Sequence, residues 1–283
     1  VGMTENGVPR CVCLNSQTAC AETALRLLGI GKGAGGNEKD EVIVPAYTYT
    51  ASASVVCHVG AKLVLVDINP DNLQISYESL EQCINENTKA VIPVDIAGIP
   101  CDYERIFEIV ERKKSIFQAN NKIQEAIGRV AVLADAAHSF GARYHDKMLG
   151  NVADFSSFSW HAVKNFTTAE GGCLTWKHIE GIADEELYQK IQLLTLHGQN
   201  KDALKKNQLG AWEYDIIGTW YKCNMTDIMA AIGLAQFERY SAMLERRREL
   251  IEKYDAALKK HGIDALEHYT VEYQSSGHLY ITR

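Results

Sequence analysis

The chain has 283 residues, which at about 150 residues per domain allows one large domain or a main domain with a smaller companion. Its 46% hydrophobic and 23% charged residues are ordinary for a globular protein and exclude disorder, collagen-like repeats and coiled coil. With 36 acidic against 29 basic residues the net charge is −7, so no general field attracts nucleic acid or anionic membrane, and an anionic ligand needs a local pocket.

Short apolar, β-branched runs alternate with longer stretches of helical period, the pattern of a parallel sheet covered on both faces. In chain order the expected strands are Cys11–Asn15, Glu41–Val44, Lys62–Asp67, Ala90–Val94, Val130–Ala134, Phe155–Ser159 and Gly172–Trp176. Between them Thr18–Leu28, Tyr49–His58, Tyr77–Ile84 and Tyr103–Phe117 read as helices. The glycine-rich stretch from Gly29 to Gly36 follows a helix rather than a strand, so it lacks the context of a dinucleotide or Walker loop and reads as a flexible connection. After Trp176 the sequence turns mostly helical, with Ile179–His197 and a long helix capped by Thr226, its Asp227 complementing the helix dipole. The Glu-Arg-Arg-Arg-Glu cluster from Glu245 reads as a solvated helix face, and Gly262 as the helix end. The segment Gly277 to Arg283 looks like a strand with no turn after it, which predicts that part of a second domain is missing. The resulting expectation is an α/β protein with a mostly parallel, three-layer large domain over residues 1–240 and an incomplete C-terminal α+β domain from 241 to 283.

No apolar run approaches the ~20 residues that span a bilayer. The opening Val1-Gly-Met-Thr-Glu-Asn lacks the basic flank and apolar core of a signal peptide. These features predict a cytoplasmic protein with no membrane or nucleic-acid partner. Eight cysteines are scattered at 11, 13, 20, 57, 83, 101, 173 and 223 without a C-x-x-C, and read as buried free thiols rather than metal ligands.

Ligands of an open parallel sheet collect beyond the carboxyl ends of its strands, so the polar residues just after strands deserve inspection. Asn15-Ser16-Gln17-Thr18-Ala19 starts a helix, where free N–H groups, the dipole and two hydroxyls suit an anion; a simple N-cap is the alternative. In Asp135-Ala-Ala-His138, small neighbours let a carboxylate approach a flat ligand beside a cationic ring nitrogen, whereas alone Asp135 reads as a turn cap and His138 as a core histidine. In Ser159-Trp-His-Ala-Val-Lys164-Asn, desolvation between two apolar strands would lower the lysine pKa and free a neutral amine for Schiff-base chemistry.

These segments, in this order, resemble the DegT/DnrJ/EryC1/StrS family of sugar aminotransferases, within the aspartate-aminotransferase superfamily. The likeness extends from about Cys11 to Tyr254. It also draws on Val44-Pro-Ala-Tyr-Thr-Tyr49, Thr168-Ala-Glu-Gly-Gly, Trp212-Glu-Tyr-Asp and Met225-Thr-Asp-Ile-Met-Ala-Ala. It implies the fold of type I transferases that depend on pyridoxal 5′-phosphate (PLP), with PLP as cofactor. Lys164 matches the lysine that binds the cofactor aldehyde, and Asp135 the carboxylate paired with the protonated ring nitrogen. Thr18 and Ala19 match residues that meet the phosphate, with Ser159 doing so from the other side, and Tyr49 matches the aromatic stacked on the ring. Two departures stand out. His138 replaces a common glutamine that contacts the ring hydroxyl, and in Tyr221-Lys-Cys-Asn-Met either Lys222 or Asn224 takes the place of an asparagine that reaches the phosphate of the neighbouring subunit.

The resemblance further implies a homodimer with shared active sites. It implies transfer of an amino group from an amino donor, L-glutamate, to a keto sugar nucleotide in two ping-pong half-reactions, serving surface polysaccharide or amino-sugar synthesis. Alternatives are a sugar dehydratase of the same family, disfavoured because such relatives replace the lysine by histidine, and a non-catalytic regulatory or scaffold homologue. A nicotinamide dehydrogenase would need a glycine-rich turn after the first strand, which Asn15-Ser-Gln-Thr-Ala is not.

Overall fold

The computed structural model describes residues 10–200 and 213–283. Seven strands form the main sheet: β1 (Cys11–Leu14), β2 (Glu41–Pro45), β3 (Lys62–Val66), β4 (Thr88–Val91), β5 (Ala131–Asp135), β8 (Phe155–Ser159) and β9 (Gly172–Trp176), in the order β1-β9-β8-β5-β4-β2-β3. The five strands from β3 to β8 run parallel, while β9 is antiparallel to both β8 and β1. The sheet is therefore mostly parallel, as expected, with an antiparallel edge.

Successive side chains of a strand point to opposite faces, and each face of the sheet meets its own helices. Val42, Val44, Leu133 and Leu174 pack with α1 (Gln17–Leu27), α2 (Thr50–His58) and α6 (Asp184–Thr195). Ile43, Val91, Val132 and Phe158 pack with α3 (Tyr77–Cys83), α4 (Tyr103–Arg112) and Tyr240 of α7 (Asp227–Lys259). The helix α5 (Lys122–Ile127) sits under the first face through Ile123, and was not foreseen. A small sheet of β6 (Arg143–Tyr144), β7 (Lys147–Met148) and β10 (Tyr273–Gln274) is a second addition. Among the described residues no helix is long and apolar enough to cross a membrane.

Several local expectations are corrected. The strand foreseen over Ala90–Val94 stops at Val91 because Pro93, lacking an N–H, cannot continue the ladder, although the Pro93 carbonyl still accepts from Asp135 N at 2.9 Å. The helix foreseen to Phe117 ends at Arg112 and gives way to a 3-10 turn over Lys114–Ile116, where the buried apolar stripe of Ile106, Ile109 and Val110 has run out. The helix foreseen from Ile179 begins at Asp184, after a turn in which Gly181 takes φ +80°. The glycine-rich connection is tied down rather than loose: Asp40 Oδ2 accepts from Gly31 N at 2.8 Å, and Gly31, at φ +82°, lies so near the Val59 carbonyl that no Cβ fits. Thr226 caps α7 by accepting from Met229 N at 3.3 Å, and Gly262 follows its end at φ +66°. Residues 277–283 do not form the expected strand; His278 N and Leu279 N donate to the Ala97 carbonyl, and the last residues make one bridge, Thr282 with Ala265. All eight cysteines are free thiols, but only Cys20, Cys101 and Cys173 are buried.

Candidate active site

The carboxyl ends of β2, β4, β5 and β8 open into one cavity of about 640 Å³, the place where an open parallel sheet binds ligands. Asp135, the last residue of β5, is 4% exposed on its floor. Its Oδ2 accepts from Ser52 Oγ at 2.6 Å and its Oδ1 from Ala137 N at 3.1 Å, while Ser52 Oγ also lies 2.8 Å from Thr48 Oγ1. Burial raises the Asp135 pKa against these donors and the nearby Lys164. The same burial lowers the Lys164 pKa, which Asp135 partly opposes. The lysine sits in the irregular loop between β8 and β9, where Lys164 N donates to the His161 carbonyl at 2.9 Å.

On the far wall, Ser16 caps α1, its Oγ accepting from Ala19 N at 3.1 Å. The cap reading of this segment therefore holds, and the same turn also lines the cavity through Ser16, Gln17 and Thr18. Ala19 does not line it, and its N–H is taken by the cap. Buried Gln17 anchors the turn to the sheet by donating to Ser157 Oγ at 3.0 Å. Gly172 approaches the turn so closely that a Cβ would fall 2.5 Å from the Ser16 carbonyl carbon. Ser159 reaches the cavity at the end of β8, and its Oγ accepts from His161 N at 3.4 Å. Tyr49 stands at the mouth, 80% exposed, so it is not the core aromatic that composition alone would suggest.

His138 also lines the cavity, with burial and Lys164 lowering its pKa to about 3. Lys222 and Asn224 do not: Lys222 Nζ donates to Asn224 Oδ1, and both lie on the segment beside β1 and α6, where Asn224 bridges Leu14 and Lys222 bridges Leu196. Trp212, first of its motif, lies outside the described residues. Among the described residues no group of three or more His, Cys, Asp or Glu side chains is disposed to hold a metal ion.

Sequence reasoning missed the groups behind the floor. Asp95 is fully buried beneath Asp135 and accepts from Tyr103 Oη at 2.9 Å, Ser139 Oγ at 2.8 Å and Cys101 N at 3.0 Å; burial pushes its pKa up to about 7. It follows the expected strand Ala90–Val94 directly, four residues beyond the observed end of β4, so the strand-end rule applied to Asp135 would have found it. Asn165 and His278, described below, carry no such signal.

The donor set fits an anionic aromatic aldehyde. A buried acid is placed for a cationic ring nitrogen, a half-buried amine for the aldehyde, and a helix start with hydroxyls for a phosphate.

Comparison with known proteins gives the same answer. The model of the DegT/DnrJ/EryC1/StrS aminotransferase family matches residues 4–283. Spr1654 from Streptococcus pneumoniae, provisionally named a sugar aminotransferase, is 54% identical in its PMP form with a TM-score of 0.91, over 96% of this chain and 67% of that one. Its PLP form is 51% identical with a TM-score of 0.89, over 96% and 66%. Among curated relatives, the spore coat polysaccharide biosynthesis protein SpsC of Bacillus subtilis is 36% identical over 90% of this chain. MJ1066 of Methanocaldococcus jannaschii is 40% identical over 86% of it. The chain spans 56% of the length of MJ1066 and 59% of that of SpsC.

Proposed function

Since the chain belongs to the DegT/DnrJ/EryC1/StrS aminotransferase family, we propose that it carries the cofactor-holding part of a PLP-dependent aminotransferase. The reaction moves an amino group from L-glutamate to the keto carbon of a sugar nucleotide, for polysaccharide or amino-sugar synthesis, in a cytoplasmic homodimer. The observation that carries this reading is the meeting of Lys164 and Asp135 in one cavity with the α1 turn. The PLP and PMP forms of Spr1654, and the name of SpsC, support it.

When bound, PLP supplies an aldehyde that captures amines and a ring that takes up electron density from a substrate α-carbon. The remaining chemistry belongs to the chain. Asp135, held by Ser52 and Ala137, would pair with the ring nitrogen and hold a proton there. Lys164, its pKa lowered by burial, has an Nζ suited to take the α-proton of the amino donor and return it one atom away. Thr18, Ser159 and the α1 turn would hold the phosphate, with Ala19 supporting the turn from within its cap. Tyr49 would cover the ring, and His138 would donate to its hydroxyl, since both line the cavity. Lys222 or Asn224, neither of which lines this chain's own cavity, would reach the phosphate in the partner subunit.

Reconstitution with PLP tests the reading. The loaded chain is expected to absorb in the near-visible range, to lose that band on addition of L-glutamate, and to regain it with one member of a panel of keto-sugar nucleotides. Lys164→Ala is expected to abolish the band. A Lys164→Ala variant with the full band, or a loaded chain unmoved by every amino donor, contradicts it.

A further inference from the structure

A hydrogen-bonded array joins the lysine loop to the C-terminal segment. Asn165, next to Lys164, is buried; its Nδ2 donates to the Ser276 carbonyl at 2.7 Å, which turns Oδ1 toward His278 Nδ1 at 2.9 Å. An amide oxygen only accepts, so His278 carries its proton on Nδ1. His138 is arranged in the opposite sense: its Nδ1 accepts from Ala97 N at 3.2 Å, so its uncharged ring carries the proton on Nε2. The two rings lie against each other at a tilt of 42°, centroids 4.3 Å apart.

Ala97 joins these two histidines. Its φ of +60° is unfavourable for a residue with a Cβ, so the surroundings must hold it. They do so from both sides. Its N–H meets His138, and its carbonyl accepts from the backbone N of His278 at 3.0 Å and of Leu279 at 3.3 Å. The next residue, Gly98, at φ +88°, accepts from Ser276 N at 3.1 Å, and a Cβ there would strike Ser276 Oγ.

We infer that His278 is a positioning residue: pinned by Asn165, it braces the His138 ring against the Ala97 turn, so that His138 presents Nε2–H to the cavity as a fixed donor. His278 does not line the cavity, so it acts through His138. Electrostatics favour the arrangement. Burial and the charges of Lys164 and Arg247 bring the His278 pKa down to about 4, and Lys164 and His278 act the same way on His138, so both rings stay neutral. The charge of Asp135 acts on Lys164 instead. The inference rests on the proposed function only for what the donor meets, the ring hydroxyl of the cofactor.

Ring-nitrogen NMR of the 15N-histidine-labelled chain without ligand tests it. At pH 7 the chain is expected to show His138 as the Nε2–H form and His278 as the Nδ1–H form. In His278→Ala the His138 ring is expected to mix tautomers and titrate nearer the ordinary 6.5. Asn165→Ala is expected to do the same, and His278→Asn, which can still donate to Asn165 Oδ1, to recover part of the fixed form. PLP binding is expected to weaken about tenfold in both alanine variants, the scale of one lost hydrogen bond. A folded His278→Ala or Asn165→Ala chain in which His138 keeps one tautomer and its low pKa overturns the inference. A chain that shows the tautomer pair but never takes up PLP refutes the functional reading and leaves this one intact.

Discussion

The charge on Asp135 depends on the donors that face it, the Ser52 hydroxyl first among them. Burial alone would favour the neutral acid, and the 2.6 Å bond from Ser52 with the Ala137 N–H is what keeps the ionised form accessible. Ser52→Ala is therefore expected to raise the Asp135 pKa further and to weaken PLP binding by about tenfold, the worth of a hydrogen bond to a charged group. A spectrophotometric PLP titration checks this; unchanged affinity would mean that the carboxylate needs no such support. Lys164 and Asp135 were legible in the sequence because each follows an apolar strand, and the family likeness gave them roles. Ser52 was not, because it lies in the first turn of a helix and meets Asp135 only across the fold. His278 was not either, since its partner Asn165 is 113 residues away and no local pattern links them.

At the scale of elements, the phosphate turn is set by two neighbours. Ser16 ends the strand-to-helix turn as a cap, and Gly172 of β9 lies against the backbone of that turn with no room for a side chain. Gly172→Ala is expected to push the turn away, costing about 1–3 kcal/mol, as overpacking does. Ser16→Ala is expected to cost about 1 kcal/mol through loss of the cap. Chemical denaturation measures both, and an unchanged midpoint in Gly172→Ala would show that the turn yields freely. The main strands and the helices α1 to α4 were legible from apolar runs and helical period, since they feed the two faces of one sheet. Unforeseen features were set by contacts remote in sequence or by backbone chemistry: the break at Pro93, the short β6-β7-β10 sheet, and a C-terminal segment in which Ser276, His278 and Leu279 bond to Gly98 and Ala97 while the backbone of Ile281 to Arg283 pairs with residues 264–266.

For the molecule as a whole, Asp95 couples the floor of the site to stability. Its pKa rises from 3.8 to about 7 on folding, so between those values the folded chain binds a proton that the unfolded chain has released. The stability it contributes is complete below about pH 4 and is lost as pH climbs through about 7. Asp95→Asn should therefore become more stable relative to the parent chain across this interval, by a few kcal/mol at most, since one pKa unit is about 1.4 kcal/mol. Denaturation at pH 4.5 and pH 8 reads the difference, and a constant gap would show that Asp95 stays ionised throughout. The open mouth, with Tyr47, Tyr49 and Val163 exposed, suits coverage by a second copy. Sedimentation of the PLP-loaded chain is expected to give a dimer, and a monomer at full cofactor occupancy would contradict the shared-site proposal.

On the proposed function, one amine in this cavity, that of Lys164, holds the cofactor. Reducing the PLP-loaded chain with borohydride and mapping its peptides by mass spectrometry tests it most directly. One pyridoxyl adduct is expected, on the peptide containing Lys164; an adduct on another lysine, with Lys164 unmodified, would overturn the assignment.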